Sequence, residues 1–216
     1  MDDGSLKYVA GVDISFVKGN EVDACACLII LTWPELKVVH SSFEMVQLTL
    51  PYIPGFLAFR EVNFLVKLLD KLKAEKPEIY PQLVFVDGNG YLHPRGFGLA
   101  CHLGVLTGLP CIGVGKTLMY VDGLEIKGVK QKFKKECLKP GDYSLLVGES
   151  SQVWGASLKS TTDCTNPIFV SIGHKVDLDF ALKVTKLCCL YRIPEPIRQA
   201  DLQSRDYLRI NYKPKT

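Results

Sequence analysis

Short apolar runs separated by turn residues make up the amino-terminal part of the chain. The runs are rich in β-branched and aromatic residues and occupy residues 8–16, 22–32 and 37–46, with Gly19-Asn20 and Trp33-Pro34 between them. Short turns between such runs are typical of antiparallel hairpins. The pattern therefore predicts a three-stranded antiparallel meander.

The hydrophobic spacing then changes to a helical one. After Gly55 the apolar positions recur with a period near 3.6 and predict a helix to about Lys73. Residues 82–87 and 111–115 are almost wholly apolar, and a second helical pattern covers residues 95–106 between them. Nearly continuous apolar runs are typical of parallel strands buried on both faces. We expect these strands to join the meander through right-handed crossovers in one mixed sheet.

The remaining sequence predicts a further antiparallel group and two closing helices. The strand patterns cover residues 145–148, 152–158 and 167–172, and the helices cover residues 177–190 and a segment that opens at Pro194. Proline is tolerated in the first turn of a helix. A chain of 216 residues fits one core. We therefore expect a single α/β domain, residues 1–216, with a mixed sheet flanked by helices.

The composition is that of a globular protein. Hydrophobic residues make up 47% and charged residues 23% of the chain, which excludes disordered, collagen-like and coiled-coil classes. The net charge of +3 is too small to imply a polyanionic partner by itself. The longest apolar stretch, residues 24–33, is shorter than the roughly 20 residues of a membrane helix. We expect no membrane association.

The eight cysteines are dispersed among hydrophobic segments and form no C-x-x-C pair. A domain of this size can bury a large core without disulfides, so we expect reduced thiols and an intracellular protein. The four histidines are also dispersed, whereas a structural zinc site needs about four clustered ligands. A zinc site is therefore not expected.

Two aspartates lie in apolar strands of the predicted sheet. Asp13 lies in the first strand and Asp87 at the end of the fourth. If these strands are parallel neighbours, both carboxylates enter one cleft at the carboxyl edge, where open α/β sheets bind ligands. Burial and mutual repulsion would raise at least one pKa unless a hard divalent cation lay between them. The alternative is that Asp13 caps a turn and Asp87 forms an Asx-turn.

Two further acids could belong to the same cleft, and each has a simpler explanation. Glu61 could lie on a solvated helix face, and Asp201 could be the i,i+4 partner of Arg205. Lys116, after a glycine turn, could meet a phosphate or be a solvated loop lysine. A lone histidine such as His174 is more often structural.

Several longer motifs occur in order along nearly the whole chain. They are GVDISF at residues 11–16, PYIPGFLAFRE at 51–61, VDGNG at 86–90, HPRGFG at 93–98, GVGK at 113–116, SIGH at 171–174 and PEPIRQAD at 194–201. Together they resemble the endonuclease V family, and the long run ending in Glu61 is the most specific of them.

The resemblance implies an RNase H-like sheet and a nuclease that uses Mg²⁺, with Mn²⁺ as an alternative ion. It also implies recognition of hypoxanthine and cleavage one nucleotide further 3′, at the second phosphodiester bond. The products would carry a 5′-phosphate and a 3′-hydroxyl. By similarity, the metal-binding and catalytic acids would be Asp13, Glu61, Asp87 and Asp201. Lys116 and His174 would be the other catalytic residues.

The resemblance also implies the residues that contact nucleic acid. Tyr52, Ile53 and Pro54 match the family's strand-separating wedge, in which the tyrosine ring can stack on bases. Without the resemblance, Tyr52 would more simply pack on the core within a rigid loop. The pocket for the base would be lined by Gly55, Leu57, Gly90, His93, Gly98 and Leu99.

A basic run covers Lys127, Lys130, Lys132, Lys134, Lys135 and Lys139. It could follow a phosphate backbone, or it could be a solvated loop or helix face.

The sequence therefore predicts a monomeric endonuclease of the cytoplasm and of the nucleus with its nucleolus. Its expected partner is inosine-containing single-stranded RNA, a preference that rests on the resemblance alone. Deoxyinosine DNA is an alternative substrate. Other readings are an inosine-binding module without turnover and a structural fold whose acids only satisfy backbone groups.

Overall fold

The computed structural model describes residues 3–51, 53 and 55–212, and an eight-stranded mixed sheet runs through its centre. The strands are β1 (Tyr8–Phe16), β2 (Asp23–Thr32), β3 (Val38–Gln47), β4 (Leu83–Asp87), β5 (Cys111–Gly115), β6 (Tyr143–Val147), β7 (Val153–Leu158) and β8 (Ile168–His174). Their order in the sheet is β3-β2-β1-β4-β5-β8-β7-β6. Five α-helices flank it: α1 (Leu57–Glu75), α2 (Leu99–Thr107), α3 (Ile126–Glu136), α4 (Leu178–Leu187) and α5 (Glu195–Asn211).

The predicted mixed sheet is confirmed. Strands β1, β2 and β3 form an antiparallel meander, β4 and β5 add in parallel, and β8, β7 and β6 continue antiparallel. Val12 of β1 pairs with Val86 of β4. Asp13 and Asp87 each follow that pair by one residue, so the register sets them side by side at the carboxyl end of the two strands.

Each face of the sheet carries its own core because successive side chains of a strand point to opposite faces. Val9 of β1 and Phe85 of β4 pack with α4 and α5 on one face. Val12 and Val86 pack with α1 and α2 on the other face. A smaller cluster beneath the segment before α3 includes Phe169 of β8.

The structure corrects several element boundaries. The second helix begins at Leu99 rather than residue 95, because Gly96 adopts a left-handed φ of +59° and the preceding residues form a loop. Strand β8 continues through His174. Helix α4 ends at Leu187, before the cysteine pair that was expected within it. The basic run lies on α3 as far as Lys135, with Lys139 beyond the end of the helix, and its lysines are exposed.

All eight cysteines are unpaired thiols. Burial raises the pKa of Cys25 and Cys101 to about 11 and that of Cys189 to about 12, which keeps these thiols protonated and unreactive at neutral pH. Within the described residues, no helix has both the length and the apolar character needed to cross a membrane.

The contact between β1 and the start of α5 depends on Gly11. A β-carbon at this residue would lie 1.9 Å from the carbonyl oxygen of Pro196, so α5 can approach the sheet only over a glycine. We expect Gly11→Ala to lower the free energy of unfolding by about 2 kcal/mol or more, because α5 must move outward. Denaturant unfolding measures this loss.

The same substitution at Gly128 is a matched control. Gly128 lies within α3, and no described atom would lie within 4 Å of an added β-carbon. Gly128→Ala should raise the free energy of unfolding by about 0.5–1 kcal/mol, because alanine is the better helix former. Equal stabilities for the two alanine variants would contradict the proposed packing of α5.

Candidate active site

Three polar side chains project from the carboxyl end of the parallel strands. Asp13 lies four residues after Val9 on β1, and Asp87 lies two residues after Phe85 on β4. Both aspartates therefore share the α5 face of the sheet with these apolar residues. Lys116 directly follows β5, and its Nζ donates a 2.5 Å hydrogen bond to Asp87 Oδ2. The three residues line one cleft. The parallel pairing therefore brings two carboxylates and one ammonium group together at one edge.

Glu61 reaches this edge from the opposite face. It lies in the first part of α1, is only 6% exposed, and lines a cleft with Asp13 and Asp87. The preceding residue anchors the helix, because Arg60 Nη2 donates to the carbonyl oxygens of Glu21 and Leu48 at the end of the meander. The Glu61 carboxylate accepts no hydrogen bond from the described part of the chain. The prediction that it could lie on a solvated helix face is wrong.

Asp201 comes from α5, on the other side of the sheet edge. It lines the cleft with Asp13, Asp87 and Lys116, and its Oδ1 accepts a 2.6 Å bond from Arg205. The i,i+4 ion pair that the spacing predicted is therefore present. It does not remove Asp201 from the cleft, because the pair lies at the rim.

Two serines complete the surroundings of Asp13. Ser15 Oγ donates to Asp13 Oδ2 at 2.9 Å, and Ser204 Oγ of α5 lies 3.3 Å from the same oxygen and 2.7 Å from Ser15 Oγ. Sequence reasoning missed both serines. Their spacing was the available signal, since Ser15 lies two residues from Asp13 on a strand and Ser204 three residues from Asp201 on a helix. Neither Asp13 nor Asp87 forms the predicted backbone turn bond among the described residues.

Burial and neighbouring carboxylates raise the pKa of two acids in the cleft. Burial raises the pKa of Asp13 to about 6, and the charges of Asp87 and Asp201 add to the rise while Ser15 and Lys116 oppose it. Burial, followed by the charge of Asp13, raises the pKa of Glu61 to about 8. Burial lowers the pKa of Lys116, but the charge of Asp87 and its hydrogen bond outweigh burial and leave the pKa above its usual value. The site thus carries more negative charge than its one inner cation balances.

The donor chemistry of the cleft fits a hard divalent cation. All donors are oxygen atoms, and Asn89 adds a buried Oδ1 that accepts no hydrogen bond from the described residues and lies near Gly115. As the side chains stand, no three histidine, cysteine, aspartate or glutamate residues of the described chain form a group that could hold a metal ion. Lys116 supplies the positive charge at Asp87 in this arrangement.

His174 does not lie with the acids. Antiparallel pairing sets it opposite Cys111, the first residue of β5, whereas Asp87 pairs with Val114 near the other end of that strand. A β-carbon on Gly104 of α2 would lie 2.2 Å from His174 Cβ, so the histidine packs against α2. The predicted catalytic role of His174 is therefore contradicted, and a structural role fits its position.

The loop that follows β4, residues 88–98, packs on its neighbours by backbone contact. A β-carbon on Gly90 would lie 2.1 Å from the Ile172 carbonyl oxygen, and one on Gly98 would lie 2.3 Å from that of Asn89. The N–H of Gly98 donates to the carbonyl of Gly90 at 2.9 Å. We call residues 88–98 the recognition loop, because four of the predicted base-pocket residues lie in it or beside it.

Gly55 connects the start of α1 to the recognition loop. Its φ is +79°, and its carbonyl accepts a bond from Arg95 Nη1 at 3.2 Å. An added β-carbon would lie 3.9 Å from the imidazole of His93, which is buried. Burial and the charge of Arg95 lower the pKa of His93. Leu99 lines the cleft with Glu61.

The predicted wedge is only partly described. Tyr52 and Pro54 lie outside the described residues, as does the side chain of Leu57. Ile53 is described, and half of its surface is exposed next to the start of α1.

Comparison with known proteins agrees with this geometry. A family model described as endonuclease V matches residues 1–202. A mouse protein named endonuclease V is 54% identical over 204 residues, which are 94% of this chain and 60% of the mouse protein. The chain thus spans less than two thirds of the length of that relative.

Solved structures match over the same region. The crystal structure of human ENDOV has a TM-score of 0.92 at 50% identity and covers 95% of this chain and 85% of its own. Endonuclease V of Ciona intestinalis has a TM-score of 0.92 at 39% identity, with 97% and 89% covered. That protein was crystallised with a 24mer DNA containing an inosine followed by a ribo-adenosine.

The electrostatics of the site predict that neutralising Glu61 stabilises the metal-free protein. Unfolded Glu61 ionises near its usual pKa of 4.5, whereas in the folded chain it stays protonated up to about pH 8. The native state therefore binds more protons across this window, and stability falls as pH rises through it. In EDTA, we expect Glu61→Gln to exceed the wild type in free energy of unfolding by about 2 kcal/mol at pH 8, and by much less at pH 5.

Glu75→Gln is the matched control for this measurement. Glu75 lies on the same helix, is exposed, and faces Lys71 across 4.0 Å. Its replacement should change stability by less than about 0.5 kcal/mol at either pH. A Glu61→Gln effect that is the same at pH 5 and pH 8 would contradict the raised pKa of Glu61.

Proposed function

This chain belongs to the endonuclease V family of nucleases, and we propose that it is a metal-dependent endoribonuclease specific for inosine in single-stranded RNA. It would hydrolyse the second phosphodiester bond 3′ to the inosine and leave a 5′-phosphate and a 3′-hydroxyl. The observation that carries the proposal is the convergence of Asp13, Asp87, Glu61 and Asp201 from both faces of the sheet at one edge, beside Lys116.

Asp13, Asp87 and Glu61, with Asp201 at the rim, are the residues that would hold a divalent ion. Mg²⁺, or Mn²⁺ in its place, supplies activation of water and neutralisation of charge on the leaving 3′ oxygen when bound. The ammonium of Lys116 is close enough to Asp87 to contact a phosphate oxygen brought to the same edge. The two serine hydroxyls keep the Asp13 carboxylate in one orientation.

The wall of the cleft suits a polyanionic strand. Beside the acids, its lining includes Lys18 from the turn after β1 and Arg205 and Arg209 from α5. Cations on the two sides of an acidic centre can hold the phosphates that flank the scissile one. Lys116 faces the centre itself, so one cation serves the reacting phosphate and the others serve its neighbours.

The recognition loop supports selection of hypoxanthine. This base presents O6 as an acceptor and N1–H as a donor, whereas adenine presents the reverse pattern at that edge. Backbone groups of this loop would read both atoms. Gly90 and Gly98 let the loop pack directly on the backbone of β8 and on its own first residues, which holds those groups in a fixed position. Mismatched hydrogen bonding in a closed pocket costs several kcal/mol, because buried polar groups are left unpaired.

The preference for RNA is the finer part of the proposal. The Ciona relative was crystallised on DNA in which a ribo-adenosine follows the inosine. In that oligonucleotide the added 2′-hydroxyl belongs to the nucleotide that precedes the bond we expect to be cleaved. This supports a contact with the 2′-hydroxyl at that position. The rest of that oligonucleotide is DNA, which favours deoxyinosine DNA as the second candidate substrate.

We also propose that the protein acts as a monomer inside the cell, in the cytoplasm and in the nucleus with its nucleolus. Eight unpaired cysteines are compatible with a reducing compartment. The nucleolar assignment rests on the family resemblance.

We expect cleavage of matched inosine-containing oligonucleotides to require both the metal and the acids. With Mg²⁺, single-stranded RNA should be cut one nucleotide beyond the inosine, DNA with one ribonucleotide after the inosine should be cut nearly as fast, and all-DNA more slowly. EDTA, Asp13→Asn or Asp87→Asn should reduce the rate by at least about a thousandfold. Gel analysis of end-labelled products measures rate and position.

The controls separate the alternatives. Glu75→Gln removes an exposed carboxylate that pairs with Lys71 on α1 and should leave the rate unchanged. Binding of inosine RNA without cutting by the wild type would indicate a binding module, and cutting in EDTA would refute the metal-dependent mechanism. All-DNA cut as fast as RNA would establish the second candidate. Tyr52→Ala should weaken inosine-dependent binding more than it weakens the response to Mg²⁺.

A further inference from the structure

An exposed aromatic surface lies beside the recognition loop. Phe56 and Phe59 come from the start of α1, Phe97 comes from the recognition loop, and His102 comes from α2. Ring centroids lie 5.9 Å apart for Phe56–Phe59, 5.0 Å for Phe59–His102 and 5.6 Å for Phe97–His102. We call these four residues and Arg95 the aromatic surface.

The exposure of this surface is unusual for side chains of this kind. Phe59 is 56% exposed and Phe97 is 43% exposed, although α1 buries Val62, Leu65 and Leu69 against the sheet. Contiguous exposed apolar surface on a soluble protein typically marks an interaction site. None of these rings is needed to fill the core, because they lie outside the two main hydrophobic clusters.

The charge of the surface points to a nucleic acid. Arg95 lies with Cζ 3.9 Å from the centre of the Phe56 ring, and Nη1 makes the one guanidinium hydrogen bond found for it in the described chain. Its remaining donors can reach a phosphate. Residues 53–60 and 93–102 together contain Arg60, Arg95 and two histidines but no acidic residue. An acid-free surface of rings with an arginine is typical of sites on which unpaired bases stack.

The position of the surface indicates which bases would occupy it. Arg95 donates to the carbonyl of Gly55, and Gly55 lies against His93, so the surface adjoins the pocket expected to hold hypoxanthine. A base rotated into that pocket leaves the stack of its strand, and its neighbours lose a stacking partner. The exposed rings can replace that partner.

We propose that the aromatic surface is a stacking platform for the unpaired bases that flank the inosine. Phe59 and Phe97 are the side chains on which the bases stack, and Arg95 contacts a phosphate of the same strand. The platform accepts any base. It thus supplies affinity for single strands, while the recognition loop supplies the choice of inosine. This inference rests on the proposed function, because that function brings an unpaired strand to the recognition loop.

The test compares Phe59→Ala, Phe97→Ala and the double variant with the wild type in EDTA, where binding is measured without cleavage. The ligands are single-stranded RNA 12-mers that carry inosine or guanosine at one position. The double variant should bind both RNAs about tenfold or more weakly, with the inosine-to-guanosine ratio unchanged. Phe59→Trp and Phe97→Tyr should restore affinity to within about threefold of the wild type, because they keep a flat ring.

A second measurement reports stacking itself. RNA with abasic residues on both sides of the inosine should bind the wild type more weakly, and the alanine substitutions should then have little further effect, since both changes remove the same contact. 2-Aminopurine next to the inosine should be quenched on binding the wild type and much less on binding the double variant. Tyr143→Ala, which removes a half-exposed ring on β6, is the matched control and should change neither reading.

Several results would overturn the proposal. One is unchanged RNA affinity of the double variant, and another is additivity between the effects of abasic residues and of the alanine substitutions. A changed inosine-to-guanosine ratio would assign the rings to the base pocket instead. A wild-type dimer that becomes monomeric in the double variant without loss of RNA affinity would make the surface an interface between copies. A wild type that lacks inosine preference would refute the proposed function, whereas lost quenching in the double variant would still support the platform.

Discussion

Crowding of negative charge at one end of the sheet is the constraint around which this molecule is arranged. The parallel pairing of β1 and β4 sets Asp13 beside Asp87, and burial makes the charged forms of these groups costly. Lys116 compensates one charge only. Local features hold the remaining acids in place: the clamp of Arg60 on the meander, the hydroxyls next to Asp13, and the ion pair of Asp201 with Arg205. A site of this kind costs folding free energy, which is common where function rather than stability determines the residues.

The acids come from both sides of the sheet, and this explains why the architecture needs two helical layers. Helix α1 brings Glu61 from one face, and α5 brings Asp201 from the other. Neither helix could supply both of these acids, because each lies on one face of the sheet only. The approach of α5 to the sheet depends on a contact outside the acidic cleft, where Gly11 of β1 lies directly beneath the first turn of the helix. The position of the acids is therefore coupled to the packing of the whole domain.

The sequence predicted those parts that follow a simple periodicity. The apolar strands that carry Asp13 and Asp87 were visible, and so was the change from strand to helix before Glu61. Burial of Glu61 was not visible, because helical spacing does not reveal which residues lie over a sheet edge. His174 was misplaced because its position after a glycine says nothing about which end of an antiparallel strand it occupies. The start of α2 was misplaced because an apolar pattern continued through residues that the glycine conformations exclude from a helix.

The recognition loop also restricts how this scaffold can vary. Its backbone lies directly on that of β8 and on its own first residues, and Gly113 of β5 sits beneath it with the same lack of space. A side chain at any one of these glycines would push the loop away from the strands on which it packs. Under the proposed function, an altered base preference would have to arise through residues at the margin of the expected base pocket, such as His93 and Leu99, while the main-chain frame stays constant. Diversification of substrates in such proteins would proceed by exchange of peripheral groups around a fixed peptide template.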